Sequence, residues 1–224
     1  MTIRTAMILA AGRGERMGQL TKNTPKPLLN FKGKTLLERH LENLSDAGFV
    51  DVVINISYLS SKIEDFVGNG SNWNLNVSFS KENPVLETAG GIKKAIPLIK
   101  SEDFIVINAD IYTDFNYARL LKVKLPEHIN AHLFLTDNPK HNSKGDFFLN
   151  KDGFLEINKT RAKTFSGIAI YKKLFFAGIT PNKYLKLTPF LNKAADNKLL
   201  TGEVLNSIWL DVGTPERLNS RNEL

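Results

Sequence analysis

The stretch Ala6-Met7-Ile8-Leu9-Ala10-Ala11-Gly12-Arg13-Gly14-Glu15-Arg16-Met17, with Pro25-Lys26-Pro27 shortly after it, decides how this chain is read. A short apolar run reads as a buried strand that empties into a glycine loop carrying cations. Glycine admits positive φ and lets backbone come close to a ligand, while Arg16 and Lys26 supply charge that phosphate oxygens accept. The combination predicts a nucleotide phosphate site. It is not a Walker loop, because Gly14 is followed by Glu15-Arg16 instead of Lys-Ser/Thr. The dinucleotide fingerprint also fails, since Met17 stands where a third Gly or Ala is needed.

The chain has 224 residues, of which 42% are hydrophobic. That suffices for one sizeable core and is short for two independent ones, so a single domain over 1–224 is expected. No cysteine is present, which excludes a disulfide framework and thiolate metal ligation. The formal net charge is +7, but lysines are scattered from Lys22 to Lys198 without a dense basic run or alternation with aromatics. A solvated basic surface with modest attraction for anionic nucleotides is expected, not a polymeric nucleic-acid partner. The Ala6–Ala11 run is too short for a signal-peptide core, and nothing approaches a membrane span. A cytoplasmic protein with no membrane partner and no obligate protein partner is expected.

Strand-like and helix-like segments alternate through the first half, the pattern of a mostly parallel sheet covered by helices. Leu37, Leu41 and Leu44 mark a helix ending near Gly48, Val52–Ile56 a buried strand, and Ile63, Phe66 and Val67 a helix capped by Ser60 and Ser61 and closed by Gly68 and Gly70. Phe104–Ile107 is another buried strand, running into Asn108-Ala109-Asp110. Later segments predict strands at Ala131–Leu135 and Ser166–Tyr171, with a polar connection between them around 138–145. A helix is expected over Leu185–Leu199, a last strand at Ile208–Val212, and a closing helix near Pro215. The fold class predicted is α/β, a three-layer α/β/α sandwich.

Asp110 and Asp211 each follow an apolar strand. In open α/β sheets the carboxyl ends of strands form the ligand crevice, so the two carboxylates can converge there. Two carboxylates with substrate phosphates suit Mg²⁺, which seldom builds an all-protein cage. Other candidates fall away. His128 and His132 are four apart, but Ile129 occupies the Glu position of a zinc-protease helix and no third ligand is evident. Ser166-Gly167 lacks the Gly two positions before the serine that a nucleophile elbow needs, since Thr164 is there.

The order Leu9 to Met17 and then Pro25 to Pro27 resembles the signature of sugar nucleotidyltransferases, Leu-Ala-Ala-Gly-x-Gly-x-Arg-Met/Leu followed by Pro-Lys-Pro. Glu87-Thr88-Ala89-Gly90-Gly91-Ile92, Asn108-Ala109-Asp110, Gly145-Asp146-Phe147, Phe165-Ser166-Gly167-Ile168 and Trp209-Leu210-Asp211-Val212-Gly213-Thr214 follow in family order along nearly the whole chain. They favour the short members that transfer a uridylyl group from UTP to N-acetylmuramic acid α-1-phosphate in peptidoglycan recycling.

The resemblance implies a Rossmann-like, GT-A-like sheet with a nucleotide half near 1–110 and a sugar-phosphate half near 111–224. Ala11, Gly12, Arg13 and Gly14 would hold the nucleotide, with Arg16 and Lys26 on its phosphates. Arg16, Lys26 and Asp110 would be catalytic, Asp110 and Asp211 would ligate Mg²⁺, and Asn108, Gly145 and Glu156 would face the sugar phosphate. Two departures stand out: Ala89 replaces a glycine common in its motif, and Gly18-Gln19 stands where relatives often carry a basic residue and proline. Two other functions stay open: another sugar 1-phosphate or phospho-alcohol with dTTP, CTP or GTP, or a non-catalytic nucleotide-sugar-binding regulator. Retention of Arg16, Lys26, Asp110 and Asp211 argues against the regulator.

Overall fold

Side chains alternate along a strand, so in the first strand, Thr5–Leu9, Ala6 and Ile8 point to one face and Met7 to the other, and both faces are buried. Burial on both faces requires a layer of helices above and below, as in parallel sheets. The computed structural model describes residues 3–157 and 159–219. Its seven-stranded sheet runs in the order Leu200–Val204, Ala131–Thr136, Thr164–Lys172, Asp103–Asn108, Thr5–Leu9, Asp51–Ile56, Asn76–Lys81. Thr164–Lys172 is antiparallel to both its neighbours, and the other pairings are parallel. Thr5–Leu9 lies between Asp51–Ile56 and Asp103–Asn108, the point at which strand order reverses. Ligands of open α/β sheets bind there.

One face is covered by the helices Leu36–Asp46 and Ser60–Val67, which bury Leu37, Leu41, Leu44, Ile63 and Val67 against Ile8, Ile54 and Ile107. The other carries Glu87–Ala95 and Thr188–Asp196, with Ala89, Ile92 and Leu191 against Met7, Val53 and Val106. Leu36–Asp46 opens with a capping box, Glu38 N–H donating to Thr35 Oγ1 at 3.1 Å and Thr35 N–H to Glu38 Oε2 at 3.2 Å.

Three expectations need correction. Ser60 and Ser61 do not cap their helix. Leu59 occupies the cap position with φ 51° and no side chain accepts there, so the two serines are the helix's first residues. The helix expected from Leu185 is Thr188–Asp196, because the backbone of Leu185 is otherwise engaged: its N–H donates to Leu86 and its carbonyl accepts from Ala89. The last strand, Trp209–Asp211, stays outside the large sheet and pairs antiparallel with Ile111–Thr113. The edge strands Asn76–Lys81 and Leu200–Val204 carry too few apolar residues to announce themselves. Among the described residues, no helix is long and apolar enough to cross a membrane.

Candidate active site

A cleft of about 520 Å³ opens at the carboxyl ends of Thr5–Leu9 and Asp103–Asn108. Ala11, Gly12, Arg13, Gly14, Arg16, Lys26, Asn108 and Asp110 all line it, so the structure gathers the expected nucleotide residues in one cleft together with Asn108 and Asp110. Gly14 has φ 65°, and a Cβ there would lie 3.1 Å from Lys26 Cβ and 3.0 Å from Thr21 Cγ2. A side chain is therefore excluded by backbone strain and by crowding. Lys26 sits in a short 3₁₀ turn after Pro25, only 8% exposed, and its Nζ forms an ion pair with Asp110 Oδ2.

A buried polar chain braces this cleft, and only part of it was legible. Asn55 interrupts the apolar strand Asp51–Ile56; its Oδ1 accepts from Ala10 N–H at 2.8 Å and its Nδ2 donates to Glu82 Oε1 at 2.7 Å. Glu82 Oε2 then accepts from Leu86 N–H at 2.8 Å. Burial pushes the Glu82 carboxyl above its ordinary range, opposed by the bonds from Asn55 and Leu86 and by the charge of Lys94. The entry to the glycine loop is thus tied to the entry of the helix Glu87–Ala95. A polar residue inside Val52–Ile56 was the available signal; nothing marked Glu82 as its partner. Glu87 itself takes φ 60°, unusual outside glycine, and its Oε1 accepts from Tyr184 Oη at 2.7 Å. Both line the cleft, and this bond leads the effects that raise the Tyr184 pKa.

A second cleft, about 360 Å³, shares Arg16, Asn108 and Asp110 with the first. Its other walls include His141, Asn142, Asp146, Phe165, Trp209 and Asp211. Asp211 arrives through the small ladder: it lies opposite Ile111, and Val212 N–H donates to Asp110 O at 2.8 Å, which sets the two aspartates side by side. Trp209 Nε1 anchors the ladder by donating to Ser166 O at 2.8 Å. Gly167, with φ 81°, makes room for Asn108, whose Nδ2 would lie 2.6 Å from a Cβ there.

Asp211 Oδ2 accepts from Arg217 at 2.9 Å and lies 3.4 Å from His141 Nε2, whereas its Oδ1 is buried with no hydrogen-bond partner. An unsatisfied buried carboxylate oxygen beside a second carboxylate fits a hard cation whose remaining ligands are phosphates and water. Among the described residues there is no group of three or more His, Cys, Asp or Glu that could hold a metal without such help.

Two expected sugar-side residues line neither cleft. Gly145, at φ 70°, packs against the Ala162 carbonyl and precedes Asp146, which does line the second cleft. Glu156 belongs to the hairpin Phe148–Leu149 and Leu155–Glu156, where its Oε1 accepts from Asn150 Nδ2 at 2.9 Å. His132 lies on the strand Ala131–Thr136, with Nδ1 2.9 Å from Thr201 Oγ1, so it and His128 share no helix. Ser166 is buried and its Oγ accepts from Ile168 N–H. His40 was not anticipated at all. It is buried on Leu36–Asp46 with Nδ1 2.9 Å from Tyr117 Oη, and burial pushes its pKa down to about 4 against the opposing charge of Asp110.

Residues 5–223 match the family model for nucleotidyl transferases. The chain is 45% identical, over 98% of its length and 97% of the relative's, to the N-acetylmuramate alpha-1-phosphate uridylyltransferase of Neisseria meningitidis serogroup B. It is 30% identical to a mannose-1-phosphate guanyltransferase of Hypocrea jecorina, aligning over 94% of this chain and 61% of that longer protein. The solved structure of HddC from Yersinia pseudotuberculosis superposes with a TM-score of 0.81 at 26% identity, covering 99% of this chain and 98% of that one.

Proposed function

This chain belongs to the nucleotidyl transferase family, and from that premise we propose that it transfers a uridylyl group from UTP to N-acetylmuramic acid α-1-phosphate, releasing pyrophosphate. The product would be UDP-N-acetylmuramic acid, which fits a role in peptidoglycan recycling. The observation that carries the reaction class is that two clefts meet at Arg16, Asn108 and Asp110. A donor in one and an acceptor in the other would bring their phosphates together there. The choice of donor and acceptor is supported by the Neisseria relative, which matches nearly end to end.

In this reading the residues near 1–110 chiefly serve the nucleotide and those near 111–224 the acceptor, within one domain. The attacking oxygen belongs to the acceptor phosphate, already ionised near neutral pH, so no protein nucleophile or general base is required. Positioning and charge neutralisation remain as the sources of rate. Ala11, Gly12, Arg13 and Gly14 hold the triphosphate against the glycine loop. Lys26 answers charge growing on the α-phosphate, and Arg16 steadies the departing pyrophosphate. Asp110 and Asp211 would hold Mg²⁺. When bound, the ion neutralises charge between the two anionic substrates. Asn108, seated against Gly167, bonds the acceptor. Gly145 acts through its neighbour Asp146, and Glu156 supports the acceptor side from its hairpin.

The test is pyrophosphate release by the purified protein with Mg²⁺ across a panel of triphosphates and sugar 1-phosphates. UTP with N-acetylmuramic acid α-1-phosphate is expected to give the highest kcat/KM. Equal or better turnover with glucose 1-phosphate, or with GTP and mannose 1-phosphate, rejects the substrate assignment. Nucleotide-sugar binding without any pyrophosphate release rejects the enzyme itself in favour of a regulator.

A further inference from the structure

The acceptor proposed above differs from N-acetylglucosamine 1-phosphate by a lactyl ether at the 3-position, and so by one extra carboxylate. The second cleft is poorly disposed to receive it, because Asp110, Asp146 and Asp211 already line it. Like charges in a confined cleft repel unless a cation intervenes. Arg16, at the junction with the nucleotide cleft, is assigned to phosphates. The one other basic side chain among the described lining residues is His141.

Arg217 braces that imidazole. Its Nη1 lies 2.7 Å from His141 Nε2 and 3.1 Å from Nδ1, and the same nitrogen donates to Asp211 Oδ2 at 2.9 Å. The His141 side chain is 41% exposed and the Arg217 side chain 16%, so the ring is the more accessible member of the pair. A guanidinium that fixes an imidazole in an acidic cleft presents the ring to a carboxylate: the ring supplies an N–H, and the guanidinium, whose charge Asp211 already partly counters, orients it.

We infer that His141, held by Arg217, receives the lactyl carboxylate of the acceptor and thereby sets acceptor choice. This rests on the acceptor assigned under the proposed function. His141 is then a specificity residue that touches the substrate, and Arg217 is its positioning residue.

The experiment compares kcat/KM for N-acetylmuramic acid α-1-phosphate, for its analogue with the lactyl carboxylate converted to a carboxamide, and for N-acetylglucosamine 1-phosphate. It uses the wild-type protein, His141→Gln and His141→Arg. Wild type is expected to prefer the acid to the amide, His141→Gln to lose at least about tenfold of that preference, and His141→Arg to keep it. The ring is half-exposed, so both variants are expected to fold, and a thermal melt checks it. Preference for the acid that survives in His141→Gln overturns the inference. So does an equal fall for acid and amide, which marks an effect transmitted through Asp211. Wild type that does not distinguish acid from amide overturns it too. If wild type instead favours N-acetylglucosamine 1-phosphate over the muramic acid, the acceptor assignment itself fails, so the two failures are told apart.

Discussion

The two clefts are built by different means. The cleft proposed for the nucleotide rests on backbone: a loop of a few contiguous residues leaving a central strand, with Ala10 N–H held by Asn55 and the Gly14 carbonyl accepting from Met17 N–H at 2.8 Å and Thr21 Oγ1 at 3.0 Å. The cleft proposed for the acceptor is side chains drawn from segments far apart in sequence. Trp209 bonds the Ser166 carbonyl, while Asp146 accepts from Phe165 N–H at 2.8 Å and from Asn142. In the proposed reading, a phosphate chain common to every nucleoside triphosphate is met by loop backbone that no substitution can remove, with the Arg16 and Lys26 side chains beside it. The acceptor, which differs between enzymes of one fold, is met by groups that substitution can exchange one at a time. This division separates the chemistry of the step from the choice of substrate.

The largest expected effect tests the seam. Asp110 lines both clefts and Asp211 only the second. Asp110→Asn and Asp211→Asn should each cut turnover by about a hundredfold or more, since each removes a ligand from a two-carboxylate cation site. UTP affinity should weaken markedly in Asp110→Asn and much less in Asp211→Asn. Steady-state kinetics with calorimetric UTP binding reads both quantities. Equal loss of UTP affinity in the two variants would break the division between donor and acceptor sides.

Lys26 comes next. Its ammonium is paired with Asp110, so the fold places this cation beside a carboxylate proposed to hold Mg²⁺. Lys26→Ala should lower kcat by about tenfold to a hundredfold and raise the KM for UTP by less, because the charge it answers grows in the transition state. A rise in KM at unchanged kcat would make Lys26 a ground-state binding residue and remove it from the catalytic set.

The contrast between the clefts also explains what could be read in advance. The glycine loop's place in the cleft was legible because its residues are contiguous: the strand, Gly12, Gly14, Arg16 and Lys26 fall within a few turns of chain. The two aspartates were legible because each ends an apolar strand. The pair of His141 and Arg217 was not, since 76 residues separate them and the Ile111–Thr113 ladder brings Asp211 between them. Glu82 was hidden for a related reason. A carboxylate ordinarily signals surface, and only its bonds to Asn55 and Leu86 make it an interior group. The helix expected from Leu185 was misjudged because apolar spacing cannot report that a backbone is engaged elsewhere.

The smallest expected effect concerns two histidines, the buried His40 and the half-buried His132. His40 packs behind Asp110 and His132 lies on Ala131–Thr136 beneath the acceptor half, and burial pushes both pKa values to about 4 from an ordinary 6.5. In the window from pH 6.5 down to 4 the unfolded chain takes up protons that the folded chain refuses. Stability therefore falls as pH drops through that window and is flat with respect to these groups above it, each contributing at most about 1.4 kcal/mol per pH unit. Glu82 works in the opposite sense. Its raised pKa means the fold binds a proton more readily than the unfolded chain does, so acid relieves part of the cost of burying it. The wild-type slope is a sum of opposed terms, and the informative quantity is a difference between proteins. His132→Gln, remote from both clefts, should make thermal stability fall less steeply between pH 6.5 and 4 while leaving turnover at pH 7.5 unchanged. An unaltered slope would mean that His132 accepts a proton in the fold as readily as in the unfolded chain, and the low-pH sensitivity would then belong to His40 and the nucleotide side.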